Sequence, residues 1–529
     1  MSENYFREEF TPQEEKILLR YFTNVDKPVF GLINLPEMVK GALFARYSRT
    51  SKSLRRLFLD EFYDESMDKD FVANTEVGMK RASELYDKMI MDFGDDSVAQ
   101  LGGAHIACEQ VSNVLTKVLE SGRLASYLEQ STRYIYFDQK ENGNYKYVIP
   151  LEIRGTSLEK EYREKMDHLF DTYKKIKEQI IPNLKEEYPK KDEWSEGAYE
   201  AIIRAKACDI VRGLLPACTK SNLGIYASGQ SYEHLLIKMY SMENEEVKEY
   251  ADMMLEELRK IIQGFLKRVD VKDRGVEWSN YLKKTRCVEV SGEKIISCKS
   301  LVGSTKNKVK LITYENKIHF SLAGMVYEQS NKSFEYISKF ISELPNVVKE
   351  NYLQNIFGQR KNRRHNPGRG LEHISYTFEI LSDYGAFRDL QRHRMLTIQW
   401  QNLTVKHGYS IPKELTEDEV LRSLYEGAIR DVIDLYNDVY SKHGDVIAQY
   451  VVPFAYMIRY VIKMNAREAF HVIELRTQKQ GHSSYREICQ NMYNEIKKID
   501  TICKITRHMD FVDMNDYELS REDSETKKQ

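Results

Sequence analysis

The feature that most constrains this chain is its likeness to itself. The segment LLPACTKSNLGIYASGQS starts at Leu214, and VVPFAYMIRYVIKMNARE starts at Val451. Each runs from a proline (Pro216, Pro453) to a small polar triplet twelve residues on, Ser228-Gly229-Gln230 in one and Asn465-Ala466-Arg467 in the other. Upstream, GRLASYLEQSTRY (Gly122–Tyr134) and HRMLTIQWQNLTV (His393–Val405) make a weaker second pair. Both precede a helix-rich stretch that leads to the proline segment. Features recurring in one order indicate a tandem duplication, which restricts the fold to two copies of one architecture. The competing reading is two unrelated helical domains. The seam falls between Arg268 and Lys308, where the helical pattern lapses.

A chain of 529 residues has room for about two to four ordinary domains. Apolar residues at three- and four-residue spacing mark helices over Leu158–Glu178, Ala198–Leu215, Asn244–Arg268 and Glu419–Lys442. Strand signals are fewer: Lys308–Tyr314 alternates, and Arg286–Ser297 reads as a hairpin turning at Ser291-Gly292. Helix with a minority of strand places the chain in the α+β class.

Several function classes are disfavoured by composition. A net charge of −2 gives no global footprint for nucleic acid or an anionic membrane. The chain has no run of eighteen apolar residues and opens on the polar MSENYFREEF, so neither a membrane span nor a secretory signal is expected. The seven cysteines are odd in number and include no CxxC pair, which points away from disulfides and metal sites. A reducing, cytoplasmic location and no metal are expected. The polar tail from Asp516 to Gln529 is expected to be disordered.

Four polar constellations carry the chemistry. In Gly122–Tyr134, Glu129, Ser131 and Arg133 alternate and would project to one side of an extended backbone. Such a set grips a phosphorylated sugar, or it is a solvated strand edge. Arg392-His393-Arg394 would be costly to bury together without an anion among them; as a solvated helix end it needs none. Arg467 and Arg476 stand nine residues apart, so on one straight helix they face opposite ways toward different ligands, or make two surface salt bridges. The basic stretch Gln359–Gly370 reads as a mobile loop able to close over a phosphate or a polyanionic tail, bind nucleic acid, or stay solvated.

Together these residues resemble the flavin-dependent thymidylate synthase family. Its motif is Arg-His-Arg followed by Ser-x-Asn-Glu-x-Ser-x-Arg-Tyr, with Arg-x-x-Leu-Pro, Asn-x-Arg and Leu-Arg downstream. The first half keeps Arg123, Ser126, Glu129, Ser131, Arg133 and Tyr134, then Arg212 and Pro216. It has Ser121-Gly122 for the first Arg-His, Leu128 for the Asn, Ser228-Gly229-Gln230 for Asn-x-Arg, and Met239 for the last Arg. The second half keeps the complement: Glu372-His373, Arg392, His393, Arg394, Asn465, Arg467 and Leu475-Arg476. There Trp400, Asn402, Thr404 and Gln449 replace the motif's Glu, Ser and two arginines. The likeness spans roughly Asp95 to Arg486.

The resemblance implies two repeats, each of long helices around a small, mostly antiparallel sheet. Residues 1–270 would be the nucleotide-binding repeat, 271–306 a connector, and 307–515 the FAD-binding repeat. It implies FAD-dependent methylation of dUMP to dTMP with methylenetetrahydrofolate and NADPH, at composite sites between the repeats. Glu129, Ser131, Arg133 and Arg212 would hold dUMP. Arg392, His393, Arg394, Glu372, Asn465 and Arg467 would hold FAD. Arg476 would bind the uracil and stabilise charge developing on it. A homodimer forming a pseudo-tetramer would follow. The alternatives are a catalytically inactive flavin or nucleotide binder, or methylation of a different uridine nucleotide. Cys218 is read as a core residue rather than a nucleophile.

Overall fold

The computed structural model describes residues 9–22, 24–26, 32–47, 53–64, 98–286, 308–315, 318–499 and 508–526. Seven strands fall within them: β1 (Gly103–Ser112), β2 (Ala125–Glu129), β3 (Lys220–Ser228), β4 (Val309–Glu315), β5 (Ser375–Asp383), β6 (Thr397–Trp400) and β7 (Met457–Asn465). They form a three-stranded sheet of order β1-β3-β2 and a four-stranded sheet of order β4-β5-β7-β6.

The two proline segments fold alike because the same local signals act in each. A short 3-10 turn (Arg212–Leu214, Gln449–Val451) leads through the proline into a nine-residue strand, β3 or β7. Ser228 and Asn465 then end the strand and cap the next helix, Gly229–Tyr240 or Ala466–Arg476. Each cap's side-chain oxygen accepts from the backbone N–H three residues on, satisfying a donor the helix cannot. Upstream, β1 and β5 each lead into a seven-residue helix, Asn113–Leu119 capped by Ser112 and Tyr384–Leu390 capped by Asp383. The short strands β2 and β6 follow. Their register agrees too: Glu129 lies opposite Leu223 and Trp400 opposite Tyr460, each the fourth residue of its partner strand. Two repeats of one α+β topology therefore make up the chain. The second adds β4 at the sheet edge, where Lys308–Tyr314 was read as strand.

The chain divides into two compact units that do not coincide with the sequence repeats. One holds Met1–Glu109, Leu124–Glu129 and Asn222–Ser297; the other holds Gln110–Arg123, Gln130–Ser221 and Cys298–Gln529. The second unit thus takes two long helices from the first repeat, Glu159–Glu187 and Glu196–Val211. Their apolar faces join one continuous core with β5 and β7. Tyr162, Tyr173 and Ile202 belong to it, as do Tyr376, Phe378, Ile380 and Tyr460, all under 2% exposed. Each such side chain contributes roughly 1.5–3 kcal/mol of burial. Cys218 lies in the same core with its sulfur against Met166, as a small apolar residue would.

Several expectations change in detail. The periodic stretch Glu419–Lys442 is two helices, Glu419–Asp431 and Ile433–Ala448. Of the expected connector, 272–286 is helical, and the hairpin read at Arg286–Ser297 lies outside the described residues beyond Arg286. The tail read as disordered carries a short helix, Glu522–Thr526, and its Glu522 pairs with Lys191. No described helix is long and apolar enough to cross a membrane.

Candidate functional site

Within the second unit, arginines of both repeats gather around two aspartates. Arg133 follows β2 in a turn that Ser131 shapes, its hydroxyl accepting from the Arg133 N–H at 3.2 Å. The guanidinium is then closed by Asp209 of helix Glu196–Val211, with Nε–Oδ1 and Nη2–Oδ2 both 2.6 Å. Burial would raise the Asp209 pKa, but the Arg133 charge overcomes it and brings the carboxyl down to about 2. Nη1 of Arg133 lies 3.4 Å from both the Gln480 carbonyl and the Tyr485 hydroxyl. Arg133 was expected to hold a phosphate directly; most of its donors are instead spent inside the protein.

Arg212 is differently placed. It opens the 3-10 turn before Pro216 and is 4% exposed. Its neighbour Gly213 has no room for a side chain, since a Cβ there would meet the Tyr425 hydroxyl at 2.0 Å. The Arg212 Nη1 stands 3.9 Å from Oδ2 of Asp389, beyond hydrogen-bond distance, and its Nη2 is buried with no hydrogen-bond partner. Arg476, the last residue of helix Ala466–Arg476, approaches the other oxygen of Asp389 at 3.7 Å. One carboxylate is thus shared by two guanidiniums and hydrogen-bonded tightly by neither. Burial opposes the Asp389 charge, but Arg476 and Arg212 hold its pKa below the ordinary value. Asp389 and Arg476 keep 20% and 17% side-chain exposure, so solvent reaches the cluster. His482 stays neutral beside it, pushed down to about 4 by burial and by Arg212.

The Arg-His-Arg stretch sits at the edge of this cluster. Its three side chains are not buried together: His393 is 7% exposed, while Arg392 and Arg394 are exposed on either side. Arg476 Nε donates to His393 Nε2 at 2.8 Å, and His393 Nδ1 faces Glu468 at 3.6 Å. Burial, reinforced by the Arg476 charge, keeps the ring pKa well below the usual histidine value. The hydrogen bond assigns the tautomer: Nε2 bare, Nδ1 protonated. The expected 15N shifts of this imidazole are those of a neutral Nδ1–H ring, unchanged through the range where an exposed histidine titrates. A protonated Nε2 would contradict the Arg476 contact.

His393, Glu468 and His471 also offer ligand atoms within 4.8 Å of one another, the one such grouping among the described residues. Their chemistry does not fit a metal. A metal on Nδ1 would put the ring proton on Nε2, where the Arg476 N–H already points.

Arg467 and Arg476 take different partners, as nine residues of one helix require. Arg467 donates to the Pro367 carbonyl at 2.9 Å and to Glu372 at 3.2 Å. The Asn465 side chain is the helix cap. Glu129 is 5% exposed at the end of β2 and belongs to the first unit. Thr404, which replaces the motif's arginine in the second repeat, accepts from the Tyr436 hydroxyl and serves the local fold.

The basic stretch Gln359–Gly370 was read as mobile, yet its Arg360 is an anchor. Its guanidinium pairs with the buried Glu474 at 2.5 and 2.9 Å and donates to the carbonyls of His365 and His508. Arg363 and Arg364 remain on the surface, lining an open groove of about 860 Å³ with Asp510 and Asp513. Asp209, Asp389, Glu468, His482 and Arg521 were not singled out from the sequence. Two of them carried a signal: Asp209 and Asp389 each stand three residues before an arginine that was, Arg212 and Arg392.

Fold and cluster together define an α+β protein with a partly buried surplus of guanidinium, the kind of site that takes an anion. The comparisons name its kin. The profile of the thymidylate synthase complementing protein family matches twice, over residues 42–262 and 310–500, and the chain belongs to that family. A UPF0159 protein of Chlamydia pneumoniae is 36% identical over 527 residues, covering 99% of this chain and 98% of its own. A UPF0159 protein of Thermoplasma acidophilum is 33% identical, covering 92% and 98%. A flavin-dependent thymidylate synthase of Pyrococcus furiosus is 27% identical over 222 residues, covering 39% of this chain and 82% of its own.

Proposed function

We propose that this chain is a flavin-dependent thymidylate synthase-type enzyme that methylates dUMP to dTMP, with methylenetetrahydrofolate and NADPH as co-substrates. The observation that carries the reading is the buried, unpartnered Nη2 of Arg212, beside an aspartate that two arginines must share. A phosphate there would accept from Arg212 and relieve the repulsion between the guanidiniums. Arg476 would face the uracil. Its Nε is fixed by neutral His393, which leaves its Nη donors to stabilise negative charge on the ring. Arg133, neutralised by Asp209, would set the field and the turn, with Ser131 toward the sugar.

The donor set around His393 fits a dinucleotide's pyrophosphate. Arg392, Arg394 and Arg467 are all solvent-accessible, and the His393–Glu468 contact joins the first pair to the first turn of helix Ala466–Arg476. These residues would hold FAD, with Glu372 and Asn465 positioning Arg467 and its helix. When bound, the flavin supplies the hydride and one-carbon chemistry. One observation favours a different uridine nucleotide: closure of Arg133 on Asp209 removes one phosphate arm.

The test is the visible spectrum of the purified protein with added FAD and then dUMP. A flavin band that shifts on adding dUMP is expected. No flavin binding, even at high FAD, sinks the enzyme reading, and a band shifted only by another uridine nucleotide replaces the substrate.

A further inference from the structure

The stretch 508–526 lies beyond both family-matched segments, yet it is fastened to the second repeat at several points. Gln478 donates to the Phe511 carbonyl, the Asp513 N–H to Thr477, Gln490 to the Asp513 carbonyl, and Arg486 to the Asn515 carbonyl, at 2.7–3.0 Å. Further on, Glu522 meets Lys191, and Asp523 meets Lys479 at 3.3 Å. Between these fastenings comes Arg521. Its guanidinium carbon stands 4.0 Å from the ring centre of Tyr134, the residue after Arg133. Its Nε is buried with no hydrogen-bond partner.

Stacking on Tyr134 explains how the side chain is held but not why a cation belongs there. Burial, together with the nearby Arg133 charge, pushes the Arg521 pKa down to about 10, and Glu525 offsets this only in part. A segment anchored on both sides of a cation is holding it against repulsion. The charge balance of the cluster is positive. Arg133, Arg212, Arg476 and Arg521 outnumber Asp209, Asp389 and Glu525 by one. Adding Arg388 and Asp383, which lie at the same cluster, leaves that surplus unchanged. A phosphate monoester carries close to two negative charges at neutral pH.

We propose that the C-terminal stretch completes the anion site, with Arg521, held on the Tyr134 ring next to Arg133, as a further phosphate-binding residue. The inference rests on the nucleotide reading of the cluster and adds a ligand from outside the family-matched segments. It makes Arg521 specific for the phosphate and indifferent to the base.

The experiment is titration calorimetry on the full-length protein and its Arg521→Gln and Arg521→Lys variants, using dUMP, deoxyuridine, FAD and inorganic phosphate. Arg521→Gln is expected to weaken dUMP by about tenfold or more, and to leave deoxyuridine and FAD unchanged. Arg521→Lys is expected to recover part of the loss. Equal dUMP affinity in the wild type and Arg521→Gln overturns the inference and leaves the nucleotide reading intact. If the wild type binds phosphate but not dUMP, the nucleotide reading falls. The inference then stands or falls on whether Arg521→Gln weakens phosphate. If the wild type binds neither, both are overturned. Melting temperatures check that the variants are folded.

Discussion

Replacing Arg212 with methionine is expected to cost nucleotide binding about a hundredfold while leaving the protein as stable as before, or slightly more so. The two effects part because the Arg212 guanidinium is poorly used in the protein alone. It is 4% exposed, its Nη2 has no hydrogen-bond partner, and its closest acid, Asp389, is 3.9 Å away and also faces Arg476. Removing one partner of a well-made buried pair usually costs about 3–5 kcal/mol. Here Asp389 keeps Arg476, and a repulsive charge departs, so the unfolding free energy should move by no more than about 1 kcal/mol. Bound phosphate would lose one or two charge-assisted hydrogen bonds, each about 1.5–3 kcal/mol. Thermal melting and dUMP titration on one preparation check both halves. A variant several kcal/mol less stable would make Arg212 a structural ion-pair residue and remove the main support for the anion site.

Asp209→Asn is expected to do the opposite, destabilising the fold by about 3–5 kcal/mol at neutral pH. The amide would leave Arg133 buried without its counter-charge, against a present pairing of two 2.6 Å contacts. The pH dependence follows from the depressed pKa. Asp209 titrates at about 2 in the folded chain against an ordinary 3.8, so the unfolded chain takes up the proton first as pH falls. Its contribution is therefore complete above about pH 4 and is lost as pH drops through about 2, on the order of 2 kcal/mol. Urea unfolding from neutral to acid pH should show the gap between wild type and variant narrowing by about that amount over that window. A constant gap would place the acid-sensitive group elsewhere.

The sequence discloses what is local and hides what depends on meeting a distant partner. Pro216 and Pro453, with the capping Ser228 and Asn465, mark the repeat because a proline, a strand and a helix cap are each written in a few adjacent residues. The β4 strand was legible by the same logic from its alternation. The acids that set the cluster's electrostatics were not. Asp209 meets Arg133 across 76 residues, and nothing near either one names the other. Three neighbouring charges at Arg392, His393 and Arg394 imply a cost only if they are buried together. A turn instead sends alternate side chains opposite ways and buries His393 alone. Arg360 was read with its loop because a run of cations suggests solvent. The buried Glu474 that holds it lies 114 residues away. The charged composition around Arg521 suggests a frayed end, so nothing local marks that residue.

The helices Glu159–Glu187 and Glu196–Val211 come from the first repeat but pack in one core with the second repeat's sheet. That arrangement works as a ratchet on the gene. Two copies that each kept a private interior could be separated again, or one could be discarded. Once one copy's helices complete the other's interior, deletion of either strips apolar surface bare. Each copy is then at liberty to lose only those motif residues that its companion retains. On the proposed reading, Met239 and Thr404 would stand at such surrendered positions, with Arg476 and Arg133 as the counterparts retained by the other copy.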